Sequence, residues 1–122
     1  MTIKIKRKIL VNVKKLDDVI NLPKNKDILI KIDVQGYEDF VLMGAKSNIK
    51  NIVGIKLELS LTSLYEGDKL YDSYFSKLKA LGYDIHDLEP GHRHPKSGRL
   101  LQFDAIHVKK DAKYNGSTLP DL

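Results

Sequence analysis

Two carboxylates stand out because of what precedes them. Asp33 ends the run Ile28-Leu29-Ile30-Lys31-Ile32, and Glu58 comes near the end of Ile52-Val53-Gly54-Ile55-Lys56-Leu57. Each run reads as a strand, the first rich enough in branched apolar residues to be covered on both faces. A carboxylate at the end of a covered strand is costly unless it meets a partner, water or a ligand. If the two strands are parallel neighbours, both acids face the crevice beyond the strand ends, where open α/β sheets bind ligands. Paired carboxylates there can orient a hydroxyl group, accept its proton or hold a cation. The structural alternatives are that Asp33 caps the helix that follows and that Glu58 pairs with a lysine.

Other chemistries find less support. With no cysteine, disulfides and thiolate metal sites are excluded. His92 and His94 flank Arg93 in a loop beside Pro95, where nothing fixes a metal-binding geometry, and His107 falls in a strand, packed or at the surface; no metal is expected. There is no Gly-x-Ser-x-Gly nucleophile elbow, no Gly-x-Gly and no phosphate-binding Gly-Lys-Ser/Thr. The net charge of +5 owes much to Lys4, Lys6, Arg7, Lys8, Lys14 and Lys15. No aromatic side chains are interleaved with them, so nucleic-acid binding is not the expectation. No run approaches the roughly 18 apolar residues of a membrane span, and the basic start leads into no signal-peptide core, so a cytoplasmic location is expected.

The elements that must position the acids follow from periodicity. Ile3, Ile5, Ile9, Val11 and Val13 fall on alternate positions with most of the charges between them, predicting a strand over 3–13. LDDVI (16–20) reads as a helical turn, NLPKNKD (21–27) as a connection, and 27–34 as a strand. From Gly36 the period changes to that of a helix, with Glu38 and Asp39 in a first turn whose dipole favours acids. A strand over 52–59, a polar loop over 60–68 and a helix over 70–81 closing at Gly82 come next. Strands 83–88 and 100–109 are joined by the turn-rich loop 89–98, without a helix, and so pair antiparallel. The expected fold is an α/β domain over 1–110 whose parallel sheet ends in an antiparallel strand, with a loose tail over 111–122.

Together these segments resemble the carboxy-terminal half of FkbM-family methyltransferases. The resemblance spans about residues 12–110 and runs through LDDVI (16–20), ILIKIDVQGYEDFVLMGA (28–45), IVGIKLELSLTSLYEGD (52–68) and the stretch 83–110. Its most specific parts are KIDVQGYE (31–38) and GRLLQ (98–102). It implies a partial Rossmann-like methyltransferase sheet, with 27–34 and 52–59 as the fourth and fifth of seven strands. The implied activity is transfer of a methyl group from S-adenosylmethionine to a hydroxyl on a small molecule or glycan. On this resemblance Asp33 and Glu58 are catalytic, Asp33 and Gln35 face the cofactor, and Glu38, Tyr65 and Glu66 face the substrate. The family's glycine-rich turn and ribose-binding acid belong to earlier strands. The chain is therefore expected to be a fragment or split half that binds the cofactor weakly or not at all by itself. The alternative is a non-catalytic binding or assembly module derived from that fold. Strand 27–34 would then present an open apolar edge to an amino-terminal half chain, to a second copy as a homodimer, or to the chain's own residues 3–13.

Overall fold

In the computed structural model, which describes residues 6–24, 26–34, 36–64, 66–114 and 117–118, four strands make one sheet. These are β1 (Leu29–Ile32), β2 (Gly54–Ser60), β3 (Tyr83–Pro90) and β4 (Gln102–Lys109), in the spatial order β1-β2-β4-β3. β1 and β2 are parallel, and β4 runs antiparallel to both β2 and β3. The three helices are α1 (Leu16–Val19), α2 (Glu38–Gly44) and α3 (Tyr71–Ala80), with a 3₁₀ turn at Ile49–Asn51. This is the expected mixed sheet, with the antiparallel strand inserted between two that run parallel.

The two crossovers, β1-α2-β2 and β2-α3-β3, advance in the same direction across the sheet, which puts both helices on one face. On that face Ile32, Ile55, Leu57, Leu59, Phe103 and Ala105 pack against Leu42, Tyr74 and Leu78. Fully burying a side chain such as Leu57 contributes about 1.5–3 kcal/mol. The opposite face carries no helix among the described residues, and this corrects one expectation. β1 is covered on one face only: Ile32 is buried, whereas Leu29 is 62% exposed.

The expected strand over 3–13 is also corrected. Residues 6–13 form no strand, and Ile9, Leu10, Val11 and Val13 are all exposed; residues 3–5 lie outside the described residues. Alternation makes a segment suitable for a half-buried strand but does not supply the neighbouring ladder, and without one the extended chain is not held.

Chemistry at the helix ends is local. Gly36 has φ 102°, which opens the tight turn from β1 into α2, and its N–H donates to Glu38 Oε2 at 3.0 Å. α3 ends through Leu81 into Gly82 at φ 91°, the left-handed residue that commonly closes a helix. The Tyr83 hydroxyl, 2.9 Å from the Ile49 carbonyl oxygen, ties β3 to the 3₁₀ turn, and burial pushes its pKa up to about 12.

Asn48 anchors the segment before β1. Its Oδ1 accepts from Leu22 N–H at 3.0 Å, and its Nδ2 donates to Asp17 Oδ1 at 2.7 Å and to the Ile20 carbonyl at 3.1 Å. Asp17 in turn accepts from the backbone N–H groups of Ser47 and Asn48, which holds its carboxyl below the usual range. Because Asn48 is buried, Asn48→Ala leaves the Leu22 N–H and the Ile20 carbonyl without this partner and is expected to cost about 1–3 kcal/mol, read as a lower urea midpoint with unchanged slope. Beyond β4, Ala112 is buried and Lys113–Tyr114 (β5) pairs antiparallel with Ser117–Thr118 (β6). Asp111 is an exposed turn residue, and residues 115–116 and 119–122 of the expected tail lie outside the described residues.

Candidate functional site

Both βα turns at the carboxyl ends of β1 and β2 open at the same end of the sheet. In the parallel register Ile32 pairs with Leu57, so the next residue, Asp33, falls level with Glu58. Glu58 in turn stands opposite Asp104 on β4, and Asp104 opposite Glu89 on β3. Side chains at paired positions share a face, so Asp33, Glu58, Asp104 and Glu89 form a row of four acids across the sheet, on the side that carries no helix.

Asp33 is exposed, so water solvates the carboxylate that ends this strand. It is not the cap of α2: the residue at that position is Tyr37, which makes no side-chain capping bond. Nor does Glu58 pair with a lysine among the described residues. Lys56, its neighbour, instead reaches Glu89 at 3.5 Å. Glu58 is half-buried, and its carboxyl is pushed above the ordinary value of 4.5, first by desolvation and then by the negative charges of Asp33, Asp104 and Glu38, with His92 acting in the opposite sense.

A carboxyl whose folded pKa is raised stabilises the fold below its unfolded value, and that contribution is lost as pH rises through the folded value. The ionised Glu58 therefore opposes folding at neutral pH. Glu58→Gln is expected to raise stability at pH 7 by up to about 1 kcal/mol, as relief of a directly opposed like-charge pair allows, with no gain near pH 3. Urea unfolding at the two pH values checks it.

The remaining expected site residues are placed unevenly. Glu38 is buried at the first turn of α2, where it accepts the Gly36 N–H and adds to the field on Glu58. Glu66 lies on an exposed turn after β2. Gln35 and Tyr65 lie outside the described residues. In the 91–101 loop His94 Nδ1 accepts from the N–H groups of Lys96 at 3.2 Å and Ser97 at 3.1 Å, an ordinary turn-closing role.

Further residues gain a place that sequence reasoning did not give them, Glu89 in the acid row among them. Asp104 joins the acid row only through the antiparallel register, although the alternation of Gln102, Asp104 and Ile106 against Phe103, Ala105 and His107 separates the two faces in the sequence. Asp39 clamps the site's outer loop: it pairs with Lys69 at 2.6 Å and with Lys77 on α3, and these lysines hold its carboxyl below the usual range.

Comparison with known proteins bears on what this arrangement belongs to. No curated protein and no solved structure gives a significant match. The family model of the methyltransferase FkbM domain matches residues 1–85, a range that holds β1, α2, β2, α3 and both strand-end acids but stops short of the GRLLQ stretch (98–102) and β4. With the match covering more than half of its length, the chain belongs to the FkbM methyltransferase domain family.

Proposed function

We propose that this chain forms one wall of a methyl-transfer site that takes the methyl group of S-adenosylmethionine and places it on a hydroxyl oxygen of a small molecule or glycan. The observation that carries the reading is the level placement of Asp33 and Glu58 at the carboxyl ends of adjacent parallel strands, one solvated and one with a raised pKa.

The residues present fit such a cofactor in part. A row of acids suits the positive sulfonium, whereas the described strand ends include no Gly-x-Gly turn for its carboxylate. S-adenosylmethionine, when bound, supplies an electrophilic methyl group on cationic sulfur. The chain's own part is to orient the acceptor oxygen and to receive its proton. Asp33, exposed and adjacent to the sheet end, would accept the hydroxyl hydrogen bond and so orient the acceptor oxygen. With the cofactor bound, the hydroxyl proton would pass to one of these carboxylates as the oxygen takes the methyl group. Glu58, whose carboxyl is pushed up first by burial and then by the neighbouring negative charges, is the second candidate to receive that proton.

The test is transfer of labelled methyl from S-adenosylmethionine to a panel of hydroxyl acceptors, by the chain alone and with a co-expressed glycine-rich methyltransferase half. Transfer only in the second case is expected, with calorimetry on the chain alone showing at most weak cofactor binding. Micromolar binding by the chain alone would contradict the division of labour, and transfer that needs neither carboxylate would contradict their role.

A further inference from the structure

The two edges of the sheet are built differently. β3, the edge beside β4, carries a β-bulge between Ile85 and Asp87, the acids Asp84, Asp87 and Glu89, and a terminal proline, all features that discourage pairing with another strand. β1 has none of these. The N–H groups of Val53 and Gly54 donate to the Ile28 carbonyl, so Ile28 turns its backbone towards β2, and the alternate residues Leu29 and Lys31 turn theirs outwards. No described residue pairs with that outer side, and the chain's own candidate cover, the segment around 6–13, forms no strand.

We propose that the free edge of β1 pairs antiparallel with β1 of a second copy of this chain, in the register that sets Leu29 against Leu29 across a two-fold axis. The charges select that register. With Leu29 at the axis, Lys31 of each copy lies opposite Asp27 of the other, giving two complementary pairs, and Ile28 lies opposite Ile30. Sliding by one step to centre on Ile30 sets Asp27 against Asp33, and a further step to centre on Lys31 sets lysine against lysine; directly opposed like charges disfavour both. In the favoured register the outward-facing backbone groups of Leu29 and Lys31 fall in hydrogen-bonded pairs, and the 62% exposed Leu29 side chains meet each other on the open face. A two-fold axis perpendicular to the sheet keeps both helix layers on the same side, so the product is one continuous eight-stranded sheet with a protected β3 at each outer end.

Sedimentation equilibrium on the full chain tests this. The wild type is expected to dimerise. Lys31→Asp places acid against acid twice and is expected to weaken the dimer about tenfold or more, and the double exchange Asp27→Lys with Lys31→Asp is expected to restore it. Both residues are exposed, so monomer stability serves as a control that neither variant perturbs the fold. Amide exchange at Leu29 and Lys31 is expected to slow as protein concentration rises. A chain that stays monomeric, a dimer indifferent to Lys31→Asp, or pairing of this edge only with a separate amino-terminal methyltransferase half would overturn the assignment.

Discussion

In a complex of this chain with a glycine-rich half that restores methyl transfer, Asp33→Asn is expected to lower turnover about 100-fold, the scale on which loss of a positioned proton acceptor is felt. Asparagine keeps the shape and can still accept a hydrogen bond from the acceptor hydroxyl, but it cannot receive the proton. The loss should therefore fall on turnover rather than on the acceptor's KM. The same substitution should leave stability within about 0.5 kcal/mol of wild type, because Asp33 is exposed and makes no capping bond to α2. A drop in stability matched by an unchanged rate would return Asp33 to a structural role.

His107→Leu is expected to make the protein more stable by about 1–3 kcal/mol at pH 7 and to remove a pH dependence that the wild type shows. His107 is buried on β4 with its ring 5.6 Å from that of Phe75, and neither ring nitrogen has a hydrogen-bond partner among the described residues. Leaving such groups unpaired costs free energy that an apolar side chain of similar size avoids. Burial also holds the imidazole below its ordinary value of 6.5, with the charge of Asp84 opposing in part. A histidine whose folded pKa is depressed takes up a proton on unfolding, so its contribution is complete above the unfolded value and is lost as pH falls below about 6.5. Wild-type stability should thus decline between pH 7 and pH 5, by no more than about 1.4 kcal/mol per pH unit for one proton, and the variant should lack that share of the slope. Thermal unfolding across this range measures both. A variant less stable than wild type at pH 7 would mean that the imidazole has a partner worth more than its burial costs.

The alternation and period of the chain were enough to locate both helices that cover the sheet, all four strands and the antiparallel return. Asp33 and Glu58 could be paired from sequence because parallel strands end at one side of a sheet. What the sequence hid depends on neighbours. ILIKI looks covered on both faces because three isoleucines and a leucine are present, but which face meets a helix is decided by the direction of the crossovers. IKIKRKILVNV has the alternation of a half-buried strand, yet pairing is a property of two segments, and residues 6–13 have no ladder to join. Asp104 and Glu89 join the acid row only through register, which a bulge beyond Ile85 shifts in a way no pattern announces.

An NMR titration of the Glu58 side-chain carboxyl, in the wild type and in Asp33→Asn, addresses the paired-carboxylate site most directly. The expected result is a wild-type pKa above the ordinary 4.5 that falls towards it when Asp33 loses its charge. A Glu58 that titrates at its ordinary value, and does not respond to Asp33, would contradict the pairing on which the proposed methyl-transfer site rests.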